Sequence, residues 1–148
     1  MLPGEERLEL CRLAAEGHPG IEVSDIEIRR GGVSYTYQTL EAIAEPNKEL
    51  YLIVGGDMFL SIGSWKNAIW ISQTTTVCAA PRTADQLPIL QKHAEALEGW
   101  GFRVIVLDIP VLDISSTELR KLIREGEDTS RWLDDQVAKR IREKRFYQ

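Results

Sequence analysis

The run Leu50-Tyr51-Leu52-Ile53-Val54, followed at once by Gly55-Gly56-Asp57, constrains the fold of this chain more than any other stretch. A short continuous apolar run is what a strand buried on both faces of a parallel sheet presents. The glycine pair at its carboxyl end lets another group come close to the backbone. Ligands of open α/β sheets bind at that edge, so the run predicts both a strand covered on its two faces and the place where a ligand sits.

The neighbouring segments extend the same alternation. Pro3-Gly4 opens a helix over about residues 5–16, with Leu10, Leu13 and Ala14 at helical spacing and Glu5 and Glu6 in the first turn, where the dipole favours acid. Residues 21–28 are rich in β-branched types and predict a strand, with Arg29-Arg30-Gly31-Gly32 as a turn. A helix follows over about 36–44, and two short ones over 58–62 and 65–72. A strand over 75–80 leads to a helix over 85–98, carried by Leu87, Leu90, Ala94 and Leu97, with Pro88 in its first turn. A strand over 102–108 leads to a helix ending near Glu125, with Gly126 as its stop. A last helix over 134–144 turns Leu133, Val137 and Ile141 inward. Strands alternating with helices predict an α/β fold with a mostly parallel sheet.

Length and composition bound the rest. The chain has 148 residues, 43% of them hydrophobic and 28% charged, which suits one domain spanning residues 1–148 and excludes disordered or disulfide-scaffold classes. A net charge of −5 argues against broad nucleic-acid or anionic-membrane binding but leaves room for a small phosphorylated ligand. Cys11 and Cys78, both in apolar surroundings, read as buried small hydrophobes. His18 and His93 read as surface residues. No secretory leader opens the sequence and no apolar run approaches a membrane span, so the expectation is a soluble cytoplasmic protein.

The second informative stretch is Ile114-Ser115-Ser116-Thr117-Glu118-Leu119-Arg120. The apolar run 104–107 leads to a loop that becomes a helix at three hydroxyls. Unpaired N–H groups and the positive dipole end meet there, with Arg120 within two turns, so a phosphate could bind. Ser115 and Glu118 are also spaced as a capping box, which serves a helix without any ligand. Likewise Ser34 and Thr36 could simply cap a helix, Gly55-Gly56-Asp57 could be a tight turn, and Trp65 could be core. The segments 34–40, 55–57 with Trp65, and 115–120 are expected at one sheet edge.

Taken in order, Ser34-Tyr35-Thr36-x-x-Thr39-Leu40, Ile53-x-Gly55-x-Asp57 with Trp65, and Ile114-Ser115-Ser116-Thr117-x-x-Arg120 resemble the motifs of bacterial nicotinate-nucleotide adenylyltransferases. Arg7 to Ala14 and Ile26-Glu27-Ile28-x-Arg30 add weaker matches. The final motif alone is shared by many adenylyl- and cytidylyltransferases, whereas the Ser-Tyr-Thr segment with Gly-x-Asp and Trp is narrower.

The resemblance implies a Rossmann-like nucleotidyltransferase fold that joins nicotinate mononucleotide to the adenylyl group of ATP, giving deamido-NAD and pyrophosphate in NAD biosynthesis. Magnesium is expected with the nucleotide rather than at a protein metal site. Carried over by position, Trp65 stacks on the nicotinate ring, with Thr36 and the Lys66 backbone N–H at its carboxylate. Gly55 and Asp57 lie against ribose and nucleotide. Ser115, Ser116, Thr117 and Arg120 bind the ATP phosphates, Arg120 being the residue closest to a catalytic role. The resemblance admits a homo-oligomer. Two alternatives stay open: a related transferase with another phosphorylated acceptor, and a non-catalytic nucleotide-binding protein.

The chain departs from the family at its start. The family's first strand, Gly-rich turn and His-x-Gly-His segment have no counterpart in the sequence. The expectation is an N-terminally shortened member, lacking the first βα unit, with a vacancy in its sheet and impaired activity and stability.

Overall fold

The computed structural model describes residues 2–111 and 114–147. The chain divides into two compact units, Val33–Asp113 and Met1–Gly32 with Ile114–Gln148.

The first unit holds the sheet. Strands β1 (Leu50–Gly55), β2 (Thr75–Ala80) and β3 (Arg103–Val106) run parallel in the order β1-β2-β3. The register aligns Leu52, Val77 and Val104 in one row and Val54, Ala79 and Val106 in another. Since side chains alternate along a strand, both rows share a face. Helices α4 (Gly56–Leu60) and α6 (Leu87–Glu98) pack there, closing a core of Phe59, Ile62, Leu90, Ala94, Leu97 and Phe102. Leu90, Ala94 and Leu97 recur at helical spacing, and Pro88 stands in the first turn of α6, where its missing N–H costs nothing. The unit also contains α3 (Thr36–Ile43) and α5 (Ala68–Thr74). The predicted α/β class with a parallel sheet and flanking helices is the observed one.

Burial of β1 on both faces is not. Its alternate residues Tyr51 and Ile53 are 55% and 71% exposed, and Ile105 of β3 is 44% exposed. An unbroken apolar run cannot reveal which face a helix will cover; α4 and α6 take the Leu52 face.

The second unit is helical: α1 (Gly4–Ala15), α2 (Ile26–Arg30), α7 (Ser116–Glu125) and α8 (Asp135–Lys144). Its core gathers Val137, Ile141 and Phe146 with Leu10, Leu13, Ile123 and Leu133. Arg140 on α8 pairs with Glu9 on α1 at 2.8 Å. Gly126 ends α7 at φ 75°, a left-handed turn that suits a residue without Cβ.

Four expectations are corrected. Residues 21–28 form no strand; 26–30 are helical instead, with Arg29 paired to Asp25 one turn earlier at 2.7 Å. β-Branched residues favour a strand only where a ladder takes them up. Cys11 is exposed, lying off the Leu10–Leu13 stripe, whereas Cys78 is buried in β2. The helix expected from Trp65 starts only at Ala68, because Asn67 turns left-handed at φ 57°. His93 is no surface residue: its ring meets Phe59 edge-on at 5.3 Å and its Nε2 is buried without a hydrogen-bond partner.

Candidate functional site

The carboxyl end of β1 is where the glycine pair predicts a close approach, and two side chains make it. Arg82, two residues past the end of β2, places Nε 3.0 Å from Asp57 Oδ2. Gln86 donates from Nε2 to Asp57 Oδ1 at 3.3 Å, and its Oε1 accepts the Arg82 backbone N–H at 2.8 Å. A Cβ on Gly55 would stand 3.1 Å from Arg82 Nε, and one on Gly56 2.6 Å from Gln86 Oε1. Both glycines are thus fitted to the groups above them.

No motif in the sequence marks Arg82 or Gln86 as a site residue. A signal for the first existed. Gly55 aligns with Ala80, so a basic residue just beyond Ala80 reaches the same edge as Asp57.

Ser34, Tyr35, Thr36, Met58, Trp65 and Lys66 line a recess of about 240 Å³. Three local features shape it. Tyr35 is the N-cap of α3 in extended backbone and makes no side-chain capping bond. Trp65 lies in extended backbone after a 3-10 turn over Ile62–Ser64, and its indole Nε1 donates to Ser61 Oγ at 3.2 Å. Lys66 holds its ammonium 4.4 Å from the centre of the Tyr35 ring, a cation–π contact. The recess therefore offers three hydroxyl-bearing side chains, an indole and a cation side by side. Tyr35 and Met58 join it without having been singled out as site residues.

The hydroxyl motif belongs to the other unit. Ser115 is the N-cap of α7, and the capping box exists. Hydrogen bonds to the Glu118 carboxylate from the Ser115 hydroxyl, then from its backbone N–H, hold that carboxyl below its ordinary value. The box takes up the N–H groups of Ser115 and Glu118. Those of Ser116 and Thr117, the first two of the helix, have no intrahelical acceptor, and both residues are exposed. Arg120 is half-buried with Cζ 5.7 Å from the ring centre of Tyr147. A larger recess in this unit, about 400 Å³, lies between the end of α7 and α8 and contains none of the motif residues.

Among the described residues no three of His, Cys, Asp and Glu converge as metal ligands. Asp57 is already engaged by Arg82 and Gln86. Nor is any helix among them long and apolar enough to cross a membrane.

Comparison with known proteins gives these groups their context. The cytidylyltransferase-like family matches residues 1–122. A protein of Caldicellulosiruptor saccharolyticus named a probable nicotinate-nucleotide adenylyltransferase is 32% identical over 143 residues, covering 97% of this chain and 73% of the relative. One of the same name from Desulfatibacillum aliphaticivorans is 33% identical over 162 residues, covering 96% and 75%. Another from Roseiflexus sp. (strain RS-1) is 40% identical over 129 residues, covering 85% and 63%. By its parallel α/β sheet and by these matches, the chain belongs to the cytidylyltransferase-like nucleotidyltransferases of Rossmann-like fold, and among them to the nicotinate-nucleotide adenylyltransferases.

Proposed function

We propose that the two units work as one nucleotidyltransferase domain that joins ATP and nicotinate mononucleotide into deamido-NAD, releasing pyrophosphate, in the cytoplasm. The recess at Trp65 carries this reading. An aromatic shelf beside hydroxyls and the Lys66 ammonium suits a flat ring bearing a carboxylate. Trp65 stacks on the nicotinate ring, and Thr36 with the Lys66 backbone N–H receives the carboxylate, an arrangement that prefers the acid to the amide.

The reaction is in-line attack by the mononucleotide phosphate on the α-phosphorus of ATP. It needs placement and neutralisation of charge more than a protein nucleophile. Ser115, Ser116 and Thr117 hold phosphate oxygens at the start of α7. Arg120 supplies the permanent charge, as guanidinium suits phosphate. Gly55 and Asp57 lie against the ribose. Magnesium enters with the nucleotide substrate in this reading, since among the described residues no three metal-ligating side chains converge.

Calorimetry tests the reading. Nicotinate mononucleotide should bind more tightly than nicotinamide mononucleotide, and Trp65→Ala should weaken the first by about tenfold, as loss of ~1.4 kcal/mol of stacking would do. Equal affinity for acid and amide, unchanged by Trp65→Ala, would overturn it in favour of another acceptor.

A further inference from the structure

Gln86 joins two elements that the sequence keeps 29 residues apart, the start of α4 and the loop between β2 and α6. Its amide has only one self-consistent orientation. The oxygen must face the Arg82 backbone N–H, 2.8 Å away, which turns the NH₂ group toward Asp57. Gly56 makes room for that oxygen. The arrangement is thus fixed by backbone on both sides, and Gln86 itself is half-buried in a 3-10 turn over Ala84–Gln86.

Its effect falls on Asp57. A carboxylate has about four acceptor sites. One oxygen of Asp57 takes Arg82 Nε at 3.0 Å and the other takes Gln86 Nε2 at 3.3 Å. An exposed carboxylate on a free side chain would rotate; this one is held at both oxygens, with acceptor sites left over for two further donors. The two adjacent hydroxyls of a ribose are such a pair.

We infer that Gln86 is a positioning residue for the ribose of the nucleotide, fixing the Asp57 carboxylate so that it selects a ribonucleotide over one lacking both ribose hydroxyls. The inference rests on the proposed placement of Asp57 against ribose. Gln86 itself touches no substrate; it acts through Asp57.

The test is calorimetric titration of the full chain with ATP and with dideoxy-ATP. The unaltered protein should prefer ATP by about tenfold or more, since dideoxy-ATP brings no donors to the free acceptor sites of Asp57. Gln86→Leu should cut that preference to about twofold or less while leaving dideoxy-ATP affinity unchanged, since only hydroxyl recognition is lost. Gln86→Glu keeps the shape but sets a second carboxylate beside Asp57, and should lose the preference at least as fully. A preference surviving in both variants overturns the inference, and so does a loss that falls equally on ATP and dideoxy-ATP. Equal binding of both nucleotides by the unaltered protein overturns the inference but leaves nucleotide binding standing. Binding of neither overturns the nucleotide reading itself and the inference with it. A merely structural role for Gln86 would lower the thermal midpoint without moving the ratio of the two affinities.

Discussion

Ser115 and Glu118 satisfy one another across the first turn of α7: the Ser115 hydroxyl accepts the Glu118 N–H at 3.1 Å, and the Glu118 carboxylate accepts the Ser115 N–H at 2.9 Å. Removing the hydroxyl leaves an N–H without its acceptor, so Ser115→Ala should cost about 1 kcal/mol of stability in urea unfolding. Ser116→Ala, which touches no cap, should leave stability within about 0.5 kcal/mol and weaken ATP binding instead. The same pair gives a pH dependence. The Glu118 carboxyl lies below its ordinary value near 4.5 when folded, so the unfolded chain binds the proton more readily. Its stabilising contribution is therefore complete above that ordinary value and is lost as pH falls through the folded one. The thermal midpoint of the unaltered protein should exceed that of Glu118→Gln at neutral pH, and the two should converge in acid.

Arg120 and Lys121 are neighbours with different prospects. Arg120 is half-buried against Tyr147, whereas Lys121 is exposed and only 3.9 Å from Glu125 in a weak surface pair. Arg120→Met should weaken ATP binding about 10- to 100-fold, the scale of a charge-assisted hydrogen bond to phosphate. Lys121→Met should change it less than about twofold. Calorimetric titration of both variants with ATP separates a placed cation from general positive charge.

Gly56→Ala should displace Gln86, whose Oε1 would stand 2.6 Å from the new Cβ. A side-chain terminus can move aside, so the cost is the hydrogen bonds it leaves, about 1 kcal/mol. In a Gln86→Ala background the same change should cost much less. A double-mutant cycle by urea unfolding should give a coupling of about 0.5 kcal/mol or more. Additive costs would mean that the glycine answers to another neighbour, such as Leu90.

Phe59 and Ile53 lie on opposite sides of the question of burial. Phe59 is fully buried and Ile53 is 71% exposed. Phe59→Ala should cost about 3–5 kcal/mol, from lost burial and the cavity left behind. Ile53→Ala should cost less than about 1 kcal/mol, small for an apolar residue in the middle of a strand. Urea unfolding of the two variants checks both figures.

The sequence by itself determined what depends on neighbours within a turn or two. The cap at Ser115 and the stop at Gly126 rest on contacts a few residues apart, and the inward stripe of α6 and the limits of β2 are legible in the spacing and type of adjacent residues. It also placed a close approach at Gly55-Gly56 without naming what approaches. Tertiary structure decided the rest. It left residues 21–28 out of the sheet, bared Tyr51 and Ile53 in a run that reads as wholly internal, and buried one nitrogen of His93. It brought Arg82 and Gln86 onto Asp57 across 25 and 29 residues of chain. The reason is common to all four. Whether a strand finds a ladder, which face a helix covers and which side chain meets a carboxylate are settled by packing between distant segments, and no residue carries that information alone.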